Sequence, residues 1–280
     1  MDFEYPGLDG FLLAVLREDV GTGDVTTNCC VTKDAVSDGV FVLKEPGVIC
    51  GIDIVIRLFK IYDETVKVTP CVCDGSFVEA DSDIVRVSGP SRSILTCERT
   101  ALNLLQHMSG IATKTAKAVR AVSGTKAKII DTRKTTPGMR ILDKYAVRCG
   151  GGSNHRFGLS DGVLIKDNHI IAAGGITNAI RNARCKCPLT LRIEVETQTL
   201  EQVKEAIAAG ADIIMLDNMQ PDMMAIAVKK INGRTLTEAS GNMGSLDLEE
   251  VAKTGVDYIS IGALTHSFKA LDISLDLKKS

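Results

Sequence analysis

Leu191-Arg-Ile-Glu-Val-Glu196, Leu200-Glu-Gln-Val-Lys-Glu-Ala-Ile-Ala-Ala-Gly210 and Asp212-Ile-Ile-Met-Leu-Asp217 follow one another almost without a gap. The outer two are short apolar runs. The middle one places Leu200, Val203 and Ile207 at helical spacing and stops at a glycine. A strand, a helix and a strand in immediate succession make parallel neighbours with a right-handed crossover. The rhythm continues on both sides. Extended runs are predicted over 128–131, 162–166, 235–240 and 256–262, with Pro137 as a first-turn proline and Leu246, Leu248 and Val251 leading to Gly255. Strands alternating with helices specify a parallel sheet covered by helices, closed either as an open doubly wound sheet or as a barrel of fewer than eight units. The strand ends favour the barrel: Asp131, Lys166, Glu196, Asp217, Ser240 and Gly262 are polar or small, and a ring gathers them at one mouth. Alternation along Ile193-Glu194-Val195-Glu196 puts both glutamates on the inner face.

The first hundred residues read differently. Extended runs at 40–43, 66–72 and 84–87 are punctuated by glycines, with a helix at 52–61. A long helical stretch over 93–122, with a break near Gly110, connects this α+β part to the barrel. The expected organisation is an N-terminal α/β sandwich domain over 1–110 and an incomplete, six- or seven-stranded α/β barrel over 111–266. The tail 267–280 can pack back on the first domain.

Composition narrows the class. The chain has 280 residues, is 45% hydrophobic and 24% charged, and carries a formal net charge of −2, enough apolar material for a full core. No apolar run approaches the roughly 18 residues that span a bilayer, and the acidic start lacks the basic segment of a secretory signal, so a cytoplasmic protein is expected. Nine cysteines in an odd count favour reduced thiols, and the Cys-x-Cys pairs at Cys71/Cys73 and Cys185/Cys187 do not have zinc-knuckle spacing. Net acidity without tryptophan argues against a nucleic-acid surface.

Within residues 131–169 the balance reverses. Arg133, Lys134, Arg140, Lys144, Arg148, Arg156 and Lys166 stand against Asp131, Asp143, Asp161 and Asp167. The excess of cations in a mildly acidic chain marks an anion site for a carboxylate, a phosphate or both.

Eight segments in order carry a family resemblance: Glu-Arg-Thr-Ala-Leu-Asn (98–103), Ser-Gly-Ile-Ala-Thr (109–113), Asp-Thr-Arg-Lys-Thr-Thr-Pro-Gly (131–138), Asn-His-Arg (154–156), Lys-Asp-Asn-His (166–169), Glu-Val-Glu (194–196), Met-Leu-Asp-Asn (215–218) and Glu-Ala-Ser-Gly (238–241). Together, from about Glu18 to His266, the chain resembles the quinolinate phosphoribosyltransferases. The resemblance implies an N-terminal α/β sandwich and an incomplete barrel. It also implies the conversion of quinolinate and phosphoribosyl pyrophosphate to nicotinate mononucleotide, carbon dioxide and pyrophosphate with Mg²⁺, in NAD biosynthesis.

The resemblance also assigns roles. Thr132, Arg133, His155, Arg156 and Lys166 are implied to bind the diacid, with Lys134 shared with the pyrophosphate. Planar guanidinium forks suit adjacent carboxylates better than an ammonium does. Glu196 and Asp217, hard oxygen donors at successive strand ends, are implied to serve the ribose hydroxyls and Mg²⁺, with Glu194 as the competing candidate on the same face. Ser240, Gly241, Asn242, Gly262 and Ala263 are implied to cradle the 5′-phosphate with backbone N–H groups. Lys134, Lys166, Glu196 and Asp217 are the expected catalytic groups. Arg99 is implied to reach the active site of a neighbouring subunit, making a homodimer that can assemble further into a hexamer. Against this stand a barrel lyase or isomerase using Lys166 as a Schiff base, a non-catalytic nucleotide-binding regulator, and a related transferase taking nicotinate.

Overall fold

The computed structural model describes residues 5–244 and 246–278. The ends of the spans expected for the first domain, 1–4 and 279–280, lie outside them. The chain divides into two compact units, one built from residues up to 114 together with 269 onward, the other from 115–268.

In the first unit, β1 (Val36–Leu43), β2 (Gly47–Val48), β3 (Lys67–Pro70), β4 (Phe77–Val78) and β5 (Asp83–Pro90) surround the helix Ile52–Tyr62. The second unit contributes β6 (Lys128–Ile130), β7 (Val163–Ile165), β8 (Ile193–Thr197), β9 (Ile213–Asp217), β10 (Leu236–Ser240) and β11 (Tyr258–Ser260), and the chain returns to the first unit with β12 (Ile273–Leu277). The first unit's main sheet runs β12-β1-β5-β3, all antiparallel. The helix packs Leu58 and Phe59 against it, and Phe59 meets Phe41 edge to face at 6.5 Å.

The long helix Ser91–Ala121 is continuous, so the break expected near Gly110 does not occur. The glycine serves a close approach instead: a Cβ there would stand 2.3 Å from the carbonyl oxygen of Lys269 on the returning chain. Leu271 N–H then donates to the Gln106 carbonyl at 3.0 Å, and Lys269 pairs with Glu45 at 2.8 Å. These contacts seat the tail beside the helix and lead β12 into its pairing with β1, a long-range contact that no local pattern encodes.

The second unit's sheet is parallel throughout, in the order β6-β11-β10-β9-β8-β7. Six strands form it, and all six coincide with predicted runs. Consecutive strands β6 and β7 do not pair. Beside β6 runs the extended segment at Ser153, which forms a parallel bridge with Ile130, with Ser153 N–H donating to Ile129 O at 2.9 Å. The glycine run before Asn154 thus feeds a segment that stands where a further strand would be.

Both faces of the barrel strands are covered, but by different chemistry. Ile193, Val195, Ile214, Leu216, Ala239 and Ile259 are fully buried beneath the helices. The opposite face carries Leu164 and Lys166, Glu194 and Glu196, Met215 and Asp217, Glu238 and Ser240, and Ser260 and Gly262, at the strand period of two. At Pro137 the structure corrects the reading. Pro137 opens a turn through Gly138, whose φ of +79° is left-handed, and the helix starts only at Arg140. Asp143 in that first turn accepts the Thr136 N–H at 2.9 Å, which holds the turn against the helix start.

Candidate active site

The carboxyl ends of β7 to β11 open on a cavity of about 860 Å³. Thr132, Arg133, Lys134, His155, Arg156, Lys166, Glu196, Asp217, Ser240, Gly241, Asn242, Gly262 and Ala263 all line it. They come from the ends of five strands and from two loops, and only the barrel brings them together. Arg99 belongs to the other unit, exposed on the helix Ser91–Ala121, and is not part of this lining.

The loop carrying Asn154, His155 and Arg156 is held by a buried charge pair. Asp131 and Lys144 form an ion pair with both side chains fully buried. The Asp131 carboxylate also accepts Asn154 Nδ2 at 2.6 Å and the His155 N–H at 2.9 Å, while Lys144 Nζ donates to the His155 carbonyl at 3.1 Å. Burial pushes the Asp131 carboxyl up and the Lys144 ammonium down, and each opposes that shift in the other. Every partner of this pair lies on the loop or its supporting helix, so the pair acts as a clamp, not as a ligand.

Two guanidiniums face the cavity with unsatisfied chemistry. Arg133 Nε and Arg156 Nε are buried and have no hydrogen-bond partner. Arg156 Nη1 donates to the Gly162 carbonyl at 2.9 Å, which orients the fork. Its ordinary value is lowered first by burial and then by the charge of Arg133. Two neighbouring cations whose Nε donors have no protein partner suit an anionic ligand.

Lys166 lies across from the acids. Its Nζ is 2.9 Å from Glu196 Oε1. Its own N–H donates to His169 Nδ1 at 3.0 Å, so the Lys-Asp-Asn-His segment is a helix start that presents Lys166 at the mouth. On the next strand Asp217 accepts Asn218 Nδ2 at 2.9 Å.

The phosphate-cradle residues are set by tight backbone contacts. Asn218 sits in the left-handed region at φ +55°, and its N–H donates to the Ser240 carbonyl at 2.9 Å. Gly241 has φ +91°, and a Cβ there would fall 2.2 Å from Asn218 Oδ1. Only glycine fits. The Lys134 stem lies over Gly262, where a Cβ would be 3.0 Å from Lys134 Cδ, and Thr265 Oγ1 donates to the Lys134 carbonyl at 2.8 Å.

Sequence reasoning missed one group. His155 Nε2 stands 3.0 Å from Glu194 Oε2 and 3.6 Å from Glu238 Oε2, with both glutamates at the buried floor of the barrel. Burial raises Glu194 to about 7 and holds Glu238 well above the usual carboxylate range, where the Glu194 charge adds to the shift. Burial also lowers the His155 imidazole. Glu238 was legible as inward-facing, since it alternates with Thr237 and Ala239 along β10, but alternation gives no partner. Asn218, Ser260 and His266 also line the cavity and were likewise not singled out as site residues.

Comparison with known proteins agrees with this geometry. The family models for the quinolinate phosphoribosyl transferase N-terminal and C-terminal domains match residues 24–109 and 111–276. The chain is 47% identical over 263 residues to a probable nicotinate-nucleotide pyrophosphorylase (carboxylating) of Bacillus subtilis, covering 94% of this chain and 91% of that protein. It is 44% identical over 282 residues to the nicotinate-nucleotide pyrophosphorylase (carboxylating) of Mycobacterium leprae, covering 99% of both. The solved nicotinate-nucleotide pyrophosphorylase of Francisella tularensis superposes with a TM-score of 0.93 at 41% identity over 98% of each chain. With both domain models matched in order and relatives aligned over nearly its whole length, the chain belongs to the quinolinate phosphoribosyltransferase family.

Proposed function

We propose that the barrel cavity carries out decarboxylating phosphoribosyl transfer, joining quinolinate to the ribose of phosphoribosyl pyrophosphate and releasing nicotinate mononucleotide, carbon dioxide and pyrophosphate, a step of NAD biosynthesis. The observation that carries the reading is the pair of orphaned guanidinium Nε atoms of Arg133 and Arg156, in a cavity that also presents Glu196 and Asp217. A pyridine diacid supplies two carboxylates for the two forks. At roughly 1.5–3 kcal/mol per charged hydrogen bond, two bidentate contacts reach micromolar binding, about 8 kcal/mol.

The chemistry needs no nucleophilic side chain. The pyridine nitrogen forms a bond to the anomeric carbon as the carbon–oxygen bond to pyrophosphate breaks. The ring nitrogen becomes cationic and accepts the electron pair released when the bond to the adjacent carboxylate breaks; a proton then takes the place of carbon dioxide. The chain's contribution is orientation by Arg133, Arg156 and Lys166, and negative charge from Glu196 and Asp217 toward the developing ribosyl cation. Lys134 meets the leaving pyrophosphate, Thr132 supports its loop through the Lys134 N–H at 3.1 Å, and the cradle from Ser240 to Asn242 with Gly262 and Ala263 receives the 5′-phosphate.

Mg²⁺ fits the donor set. Glu196 and Asp217 offer hard oxygens from adjacent strands in an open cavity, the environment of an ion that keeps waters and shares substrate phosphates. Glu196 and Asp217 would hold the ion, and it would supply charge neutralisation to the pyrophosphate leaving group.

The same proposal includes a homodimer, or a hexamer assembled from three such dimers, in which Arg99 completes a neighbouring site. Arg99 is exposed and is not among the residues that line the cavity, which supports it. Mixing inactive Arg99→Ala with inactive Arg133→Ala protein tests it: partial recovery is expected, and no recovery excludes a shared site. A cytoplasmic setting, which suits the free exposed thiols of Cys29, Cys30, Cys71, Cys73 and Cys185, is part of the same reading.

Release of carbon dioxide from carboxyl-labelled quinolinate with phosphoribosyl pyrophosphate and Mg²⁺ is the direct test, with nicotinate as the control acceptor. Turnover of nicotinate without quinolinate turnover would overturn the diacid assignment. The Schiff-base alternative is disfavoured because Lys166 Nζ is engaged by Glu196 Oε1 at 2.9 Å.

A further inference from the structure

The imidazole of His155 is engaged at both nitrogens. Its Nδ1 accepts the Arg156 N–H at 2.7 Å, which requires an unprotonated Nδ1. The single ring proton is therefore on Nε2, aimed at Glu194 Oε2 at 3.0 Å with Glu238 Oε2 at 3.6 Å. In this arrangement His155 has no N–H left for a substrate anion. The residue implied to bind the diacid is committed to its own chain.

The two glutamates have no evident role as ligands. Glu194 and Glu238 are 4% and 2% exposed, and Oε1 of each has no partner. The Oε2 atoms of both face the His155 Nε2, at 3.0 and 3.6 Å, and this contact is what their placement serves. Besides each other and the Ser260 side chain, what they reach is the histidine, and through it the backbone of Arg156, whose fork is oriented at its other end by Gly162.

We propose that Glu194 and Glu238 are a positioning pair for the transfer reaction: they anchor the Nε2–H of His155, whose other nitrogen sets the backbone of Arg156, so that the guanidinium and not the imidazole meets the diacid. The claim rests on the diacid reading of the cavity. A misplacement of about 1 Å in a positioned cation costs on the order of a hundredfold in rate, which is the leverage such a pair has.

Two measurements test it. The first compares Glu194→Ala, Glu238→Ala and the isosteric Glu194→Gln and Glu238→Gln. The alanine variants are expected to weaken quinolinate binding about tenfold to a hundredfold, with binding of phosphoribosyl pyrophosphate nearly unchanged and with recovery in the glutamine variants. Equal loss for both substrates, or unchanged quinolinate binding, overturns the proposal. The second uses the unmutated enzyme, so a folding defect cannot intervene. Nitrogen-15 spectra of the four histidines, with His155 assigned by difference, are expected to show the Nε2–H tautomer in the free enzyme and again with quinolinate bound. A doubly protonated His155, or an Nδ1–H, in either state overturns it. So does displacement of the Nε2 proton by stoichiometric Zn²⁺, since the three ligand atoms lie within 4.8 Å of one another and would then form a metal site. Native enzyme that binds no quinolinate while keeping the Nε2–H tautomer would remove the diacid reading and not the anchoring of the ring.

Discussion

Lys166 Nζ and Glu196 Oε1 stand 2.9 Å apart across neighbouring strands β7 and β8, joining a cation expected to meet the diacid to a carboxylate expected to meet the metal and ribose. Lys166 is half exposed, so screening keeps this pair to about 1 kcal/mol or less. Glu196→Gln is expected to leave thermal stability within that margin while lowering kcat/KM by about a hundredfold to a thousandfold. Melting curves beside steady-state kinetics check it; a large loss of stability would mean that the pair is structural.

The Asp131–Lys144 pair behaves oppositely. With both groups fully buried, Asp131→Asn leaves an uncompensated ammonium and is expected to cost about 3–5 kcal/mol. Replacing both residues by apolar ones of similar volume is expected to recover most of the stability without the activity, because the Asn154 and His155 anchors go with Asp131. Urea unfolding of the single and double variants measures this.

At Gly241 the backbone is left-handed and a side chain would overlap Asn218. Gly241→Ala is expected to raise KM for phosphoribosyl pyrophosphate about tenfold or more and leave quinolinate affinity within about twofold, since displacing the Asn218 turn distorts only the phosphate end. Separate titration of the two substrates decides it.

Glu194 gives a pH signature. Its folded-state value near 7 exceeds that of an unfolded glutamate near 4.5, because burial penalises its charge. A raised carboxyl favours folding while it stays protonated, so this contribution is fully present below about 4.5 and is lost as pH rises through 7. Relative to Glu194→Gln, the native chain is expected to lose on the order of 3 kcal/mol between pH 4.5 and pH 8. Parallel stability curves for the two proteins would exclude the shift.

The barrel strands were legible because each is a short apolar run closed by a polar or small residue, with a helix pattern behind it. The inward set Lys166, Glu196, Asp217 and Ser240 followed from the period of two and from motif order. The strand Ile273–Leu277 was missed since its partner Val36–Leu43 lies more than two hundred residues away, and sequence spacing carries no pairing information. Gly110 was misread as a break for a related reason: the need for a missing Cβ arises from Lys269, distant in the chain. Pro137 was misread because the left-handed Gly138 turn and the Asp143 acceptor together delay the helix.

The chain by itself determined the alternation of strands and helices, the excess of cations over 131–169 and the order of the motifs, because these depend on local periodicity and residue type. Only the tertiary structure decided that thirteen of the expected residues line one cavity while Arg99 does not, and that His155 spends both nitrogens on Arg156 and a buried acid pair. Desolvation and hydrogen-bond satisfaction depend on which distant groups share an interior, and that is settled only when the sheet curls and brings its strand ends around one cavity.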